Sequence, residues 1–452
     1  MGMFKKTVLS SCAALVLAPS MAMAADHEDH GENYEEAGVT SPAADLRADL
    51  DHLFSEHFAL TVAFMQKAYD GEGDAEEAGA ALDQNTAELT AAIESVYGSE
   101  GAEEFERIWQ SHINFFGDMV GAEAEGDEEA RAEAEANLEN YVQEFSGFLD
   151  AATEGNLPQE AGEEAITAHV ADVTNTFDAY AAGDHQEAYE NFRHGFHHMF
   201  DIGVNLGGAI TEQMPEEFDN TEVSTPASDL RSDLNHLLSE HFFLAVFGMQ
   251  KGLDGADDFD EAQWALDENT ADLTEAVESV YGEEGAEAFE PIWQSHINFF
   301  GDMTGAEVEG NEEARAQAEE DLAEYVVEFS AFLDEATEGG IPQEAGEEAI
   351  SAHVADVTNT FDAYAAGNFD RTWNEEFRHG FHHMFGLGEV LSGAFVAQNP
   401  EMFAEDKMPE EMPATGLGGS SSNTMVLWAM VTTFAAAAGA FLYGRKKVNT
   451  EQ

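Results

Sequence analysis

The sequence predicts an all-α protein with two tandem copies of one helical-bundle domain, about six helices in each, between a signal peptide and a C-terminal transmembrane helix. Three observations predict this organisation. Apolar residues recur at the three- and four-residue spacing of helices, without the alternation typical of strands. Residues 41–218 align with residues 225–403, and both ends of the chain carry the patterns of an exported, anchored protein.

The N-terminus predicts an export signal over residues 1–24. Lys5 and Lys6 precede an apolar stretch, and Ala22-Met23-Ala24 has the small-x-small pattern of a signal-peptidase site. Cys12 is the only cysteine of the chain and leaves with the signal. The mature protein therefore has neither disulfides nor cysteine-bound metals. Residues 25–40 follow as an acidic, histidine-containing tail.

Residues 424–443 predict a membrane-spanning helix, because they form an apolar run long enough to cross a bilayer. The basic tail that follows, residues 444–452, indicates a cytoplasmic end. The membrane is therefore an expected partner of this helix. The rest of the mature chain is expected outside the cell, at its surface.

A short motif lies in the linker that precedes the apolar run, residues 404–423. It reads Met412-Pro413-Ala414-Thr415-Gly416, and a Gly/Ser spacer follows it. Motif, spacer, apolar run and basic tail together resemble the LPXTG-type sorting signal of Gram-positive cell-wall surface proteins, with Met412 in the position of the usual Leu. The resemblance implies that a sortase cleaves between Thr415 and Gly416 and joins the chain to peptidoglycan. Without that processing, the same segment is a plain membrane anchor.

The two repeats are copies of one unit. Residues 41–184 align without a gap with 225–368, and after one inserted residue the match continues to the ends of the repeats, with residues 219–224 as the linker. Breaks near five glycines divide the repeat into about six helices: Gly71, Gly98, Gly121, Gly155 and Gly183. Three histidines spaced by 55 and 57 residues suggest three helical hairpins in one bundle: His57, His112 and His169.

Charge restricts the partners of the chain. Acidic residues number 93 against 16 basic ones, which gives a formal net charge of -77. Nucleic acid and anionic lipid surfaces are excluded as partners, because this charge repels them. Metal cations are the expected partners, and a solvated acidic coat is the simpler interpretation of the carboxylates as a class.

Histidines are the residues that the two copies retain most consistently. Seven in the first repeat each align with one in the second, and the segments that recur unchanged surround them. The helical spacing of three of them places their rings toward an apolar interior, and we predict that they form the inner ligands of a metal site in each repeat. These are His57, His112 and His169, with His241, His296 and His353 in the second copy.

Further histidines are predicted to complete this site or to form another. His194 and His198 share a helix face at i,i+4 and are expected to close the inner set, as are their counterparts His379 and His383. The secondary candidates are His52 with Glu56, His197, His236 with Glu240, and His382. His27 would be the third residue after signal cleavage, where a free amine, two amides and an imidazole can bind Cu(II).

Several convergent buried imidazoles without partners would each cost about 1–3 kcal/mol, and a shared metal ion removes that cost. The sequence thus predicts a cell-surface protein that captures or buffers a transition metal, with copper favoured and zinc or iron next. Two other interpretations stay open: an acidic structural or adhesive spacer whose core histidines pair with Arg193, Asp172 and Asp178, and a di-iron or haem redox protein. No catalytic motif occurs in a suitable context, so binding is favoured over an enzymatic role.

Overall fold

The computed structural model describes residues 38–404. The predicted signal peptide, His27, the sorting-like motif and the predicted membrane span lie outside the described residues. Within residues 38–404 every regular element is helical, which agrees with the predicted all-α class. In that same range, none of the helices combines the length and apolarity that a bilayer crossing requires.

Each repeat contributes five helices to the described structure. In the first repeat these are α1 (Pro42–Asp70), α2 (Ala75–Glu125), α3 (Glu128–Ala152), α4 (Gln159–Ala181) and α5 (His185–Gln213). In the second they are α6 (Pro226–Asp254), α7 (Phe259–Glu309), α8 (Glu312–Ala336), α9 (Gln343–Ala365) and α10 (Arg378–Gln398), the last preceded by a π-helical segment over Arg371–Phe377.

Local sequence signals explain where the first helix of each repeat begins and ends. The side chains of Ser41 and Thr225 accept the backbone N–H groups of Ala44 and Ser228, and a proline follows each cap. Gly71 and Gly255 end these helices in the left-handed conformation.

The helix break expected near Gly121 occurs at Gly126 instead, since α2 continues through Gly121 to Glu125. The break at Gly98 is present as a kink inside α2, where φ is 74° and ψ is 176°. If α2 is counted as two segments, each repeat has the six segments that the glycine pattern predicts. The grouping of these segments into three hairpins stays a prediction.

The π-helical segment lies where the second repeat carries its inserted residue. A π-turn closes its hydrogen bond one residue later than an α-turn, so it accommodates one extra residue without shifting the helix that follows. The histidines of α10 consequently make the same contacts as those of α5: Nδ1 of His379 and of His194 each lie 3.0 Å from an aspartate of the preceding helix.

The helices of each repeat pack in a closed order. Each helix contacts the next, and the last returns to the first, α5 onto α1 and α10 onto α6. The repeats also pack against each other, α1 against α6 and α5 against α7. One continuous apolar core includes residues of both copies.

Reciprocal contacts join the two copies. Arg47 pairs with Asp229, and Arg231 pairs with Asp45 at 2.7 Å. The two repeats are therefore related as in a symmetric dimer, in which both partners use the same surface patch for the contact.

Candidate metal centre

Three helices of the first repeat each supply one histidine to a single buried cluster. His57 of α1, His112 of α2 and His169 of α4 each place a ring nitrogen within 4.8 Å of the others. His241, His296 and His353 form the same cluster in the second repeat. We call these clusters the first and second triads. The structure thus brings together the inner set that helical spacing predicts.

The separation of two ligand atoms fits a shared ion. Nε2 of His57 lies 3.2 Å from Nε2 of His112, and the matching distance between His241 and His296 is also 3.2 Å. Two nitrogens bound to one tetrahedral ion at 2.0–2.1 Å would lie about 3.3 Å apart. This spacing suits a hydrogen bond between the two imidazoles as well as two ligands of one metal, and the third imidazole lies close by.

Hydrogen bonding defines one of the three tautomers. Nδ1 of His112 lies against the backbone carbonyl of Trp109, which only accepts, so this nitrogen carries the proton. The lone pair of Nε2 then faces His57. His296 and the carbonyl of Trp293 repeat this arrangement. A carbonyl that holds the distal ring nitrogen is typical of histidines that bind metals.

Burial keeps these imidazoles neutral. It lowers the pKa of His112 and of His169 to about 3, and with the neighbouring imidazoles it lowers the pKa of His57 well below its usual range. Burial likewise lowers the pKa values of His241, His296 and His353 in the second triad. Because the charged form is disfavoured, the lone pairs stay available to a cation at neutral pH.

Half of the ring nitrogens of the first triad lack a hydrogen-bond partner among the described residues. These are Nδ1 of His57 and both nitrogens of His169. Their counterparts in His241 and His353 are likewise unpartnered. An unpaired buried polar atom costs about 1–3 kcal/mol. Several of them in one place therefore destabilise the fold unless a ligand satisfies them. A bound ion gives at least one nitrogen of His169 a partner.

Aromatic side chains surround each triad. The ring of Tyr141 stacks on His112 with centroids 4.6 Å apart, and Trp109 lies 4.7 Å from His57. Tyr325 and Trp293 take these positions in the second repeat. These rings restrict the imidazole orientations. They belong to the predicted helices, but the sequence did not indicate that they contact the histidines.

The histidines expected to close the set lie beside the triad and outside its 4.8 Å cluster. Nδ1 of His194 and of His198 face the two oxygens of Asp172 at 3.0 and 2.9 Å. Asp172 is on the same helix as His169, three residues later. In the second repeat His379 and His383 bind Asp356 at 3.0 and 2.7 Å. A ligand role for these four histidines stays a prediction.

The secondary candidates lie at the boundary between the repeats. The ring of His52 contacts that of His382 at 4.7 Å, and His236 contacts His197 at 4.8 Å. Glu56 is not paired with His52. It accepts from Asn85 at 2.8 Å and from Arg378 of the other repeat, as Glu240 does from Asn269 and Arg193.

Arg193 and Asp178, which were expected to pair with histidines in a polar core, form ion pairs with other residues. Arg193 pairs with Glu240 and with Asp272, and Asp178 pairs with Arg131 at 2.6 Å. Of the three residues expected to satisfy the core histidines, only Asp172 contacts histidine, and it does so outside the triad. Residues 192–200 recur unchanged in the second copy, which indicated that this region is important. The repetition did not indicate that the side chain of Arg193 contacts the other repeat.

Comparison of the chain with protein-family models, with curated proteins and with solved structures finds no match. The two triads are therefore the features on which a functional interpretation rests.

Proposed function

We propose that each repeat binds one transition-metal ion through its triad, and that the protein captures or buffers this metal at the cell surface. The 3.2 Å separation of Nε2 atoms in both repeats carries the proposal, with a third buried imidazole within 4.8 Å. Two neutral nitrogens would not be held so close in an apolar interior without a shared proton or a shared ion.

The ligand set restricts the metal. All three donors of each triad are imidazoles, which suit zinc, copper, iron and nickel. Copper is our first choice because the general order of affinity favours it, with zinc and iron next. An all-imidazole triad does not favour a carboxylate-bridged di-iron centre, whose ligands in helical bundles are largely glutamates. The formal charge of -77 would concentrate cations around the protein.

The location of the protein is part of the same proposal. An export signal, the motif over residues 412–416 and an apolar run before a basic tail support a surface protein. In this proposal a sortase joins Thr415 to peptidoglycan, or residues 424–443 hold the chain in the membrane. Both arrangements place the repeats outside the cell, where metal capture is useful.

Metal analysis of the full-length chain, expressed without a histidine tag, tests the proposal. We expect two equivalents of a transition metal, one for each triad, after exposure to Cu²⁺ or Zn²⁺ and removal of loosely bound ions. The double variant His112→Ala with His296→Ala should bind neither. The control is His185→Ala, since His185 has no matching histidine in the second repeat and lies outside both triads. A wild-type chain that retains no metal would refute the proposal and favour an acidic surface spacer.

A further inference from the structure

A cleft in the second repeat reaches the second triad. It has a volume of about 350 Å³, and its lining includes both His241 and His296. His353, the third member of the triad, is not part of the lining, and neither is any other residue of α9. The cleft therefore approaches the triad between α6 and α7, on the side away from His353.

The walls near the histidines are mostly apolar. Ala245 and Met249 of α6 face Leu266, Ile297 and Phe300 of α7 across the cleft. A cavity of this volume lies at the lower end of the range for small-molecule sites. Such a surface disfavours a hydrated ion, because burying a charge without compensating polar groups is costly.

Glycines keep the outer end of the cleft open. Gly301 and Gly305 line it one helical turn apart and are exposed, together with Val308 and Glu309. A Cβ atom added at either glycine would meet no atom within 4 Å. A larger side chain at these positions would therefore occupy the opening without displacing the neighbouring helices.

Coordination chemistry indicates what the cleft could admit. Three imidazoles leave one position of a tetrahedral ion free, and binding sites for exchangeable ligands keep such a position open. Glu309 at the opening and the overall charge of -77 repel anions. The apolar walls disfavour cations. A small uncharged molecule is the class that remains.

We propose that the metal of the second triad binds, at its free position, a small uncharged ligand with one donor atom on an apolar body, which enters through this cleft. This inference rests on the proposed function, because it requires a metal in the triad. It goes beyond storage, since a site with an exchangeable ligand senses or carries that ligand as well as the ion.

Spectroscopy of the cobalt-loaded protein tests the inference. The full-length, untagged chain is loaded with Co²⁺, whose visible bands report changes in coordination, and is titrated with pyridine as an uncharged ligand and with azide as a small anion. The same titrations are made on Gly305→Leu and on Gly386→Leu. Gly386 is a matched control because it is an exposed helical glycine with open space around its Cβ position and lies outside the cleft. Gly301→Leu is the second variant, in case Gly305→Leu loses its fold.

We expect pyridine to change the cobalt bands of the wild type and of Gly386→Leu at the same concentration, and azide to act only at much higher concentration. Gly305→Leu should bind the same amount of cobalt and require about tenfold more pyridine for the response of the second triad. If pyridine does not change the bands of the cobalt-loaded wild type, the inference is overturned and the proposed function is not affected. The same holds if azide changes the bands at lower concentration than pyridine does. If a folded Gly305→Leu variant no longer takes up cobalt, the inference is also overturned, because the cleft would then be the path by which the metal enters. A wild type that takes up no cobalt refutes both proposals.

Discussion

Arg378 of the second repeat binds Glu56 of the first through two parallel contacts. Nε and Nη2 of the guanidinium each lie 3.1 Å from one carboxylate oxygen, and Glu56 is fully buried. Arg193 and Glu240 repeat this pair in the opposite direction, with both contacts at 3.3 Å. Each copy thus provides the cation for a carboxylate buried in the other, and each carboxylate belongs to the residue immediately before a histidine of the triad.

Removing this cation should destabilise the protein strongly. The substitution Arg378→Met leaves the Glu56 carboxylate buried without its partner, and breaking such a pair typically costs about 3–5 kcal/mol. We expect a loss of this size in the free energy of unfolding, measured by urea denaturation. Arg107→Met is the control, because its ion pairs with Glu104 and Glu144 are half exposed and should contribute less than about 1 kcal/mol. Equal losses in the two variants would contradict the structural role of the Arg378 pair.

Asp51 should make the stability of the protein depend on pH. Burial raises its pKa to about 7, although Arg47 lies 3.7 Å away and the hydroxyl of Ser232 donates a hydrogen bond to it at 2.7 Å. The folded pKa exceeds the unfolded value of about 4, so the contribution of this group is fully present below pH 4 and is lost as the pH rises through 7. The second repeat has Asn235 at the matching position, which cannot ionise.

The variant Asp51→Asn should remove that loss. We expect it to be more stable than the wild type by about 2–4 kcal/mol at pH 8, and to differ by less than about 1 kcal/mol near pH 4. Thermal unfolding at a series of pH values measures the difference. A stability difference that stays constant from pH 4 to pH 8 would show that Asp51 does not titrate in this range.

His169→Leu should have opposite effects on the two forms of the protein. In the metal-loaded form it removes one of three ligands, so we expect the loss of one metal equivalent. In the metal-free form it removes two unpartnered buried nitrogens, and we expect stability to be unchanged or to rise by about 1 kcal/mol. Elemental analysis and denaturation of the two forms measure these effects. A metal-free variant that is several kcal/mol less stable would indicate that His169 serves the fold alone.

Gly98 should resist substitution more than Gly117 of the same helix. Its φ of 74° with ψ of 176° belongs to a region that side chains other than glycine rarely adopt, so Gly98→Ala should cost about 1–3 kcal/mol. Gly117→Ala is the control on the same helix, since its added Cβ meets no atom within 4 Å. The control should gain about 0.5–1 kcal/mol from helix propensity. Denaturation midpoints of the two variants distinguish these outcomes, and equal midpoints would argue against the kink.

Local signals explain why the helices and the inner histidines were predictable. Helical spacing depends on neighbours within a few turns, so the inward direction of His57 and His169 follows from the apolar residues around them. The same spacing could not show that His194 and His198 lie outside the triad, because these two histidines also share one helix face. Whether a ring nitrogen reaches a common point depends on the rotation and separation of helices, which residues distant in the chain determine.

The contacts between repeats were not predictable for the same reason. Arg193 and Asp172 belong to the same repeat, yet the guanidinium of Arg193 reaches Glu240 and Asp272 of the other copy. The internal duplication indicates two similar units and does not say which faces they share. The cleft beside His241 is likewise a product of packing, since its lining combines residues of α6 and α7 that are distant in the sequence.

By itself, the sequence determined the helical class, the duplication, the acidic surface and the inward direction of three histidines in each copy, because composition and short-range periodicity encode these properties. Only the tertiary structure decided that His57, His112 and His169 meet while His194 and His198 bind Asp172, and that each buried glutamate takes its arginine from the other repeat. Convergence and pairing are set by how whole helices pack, and that packing is a property of the complete core.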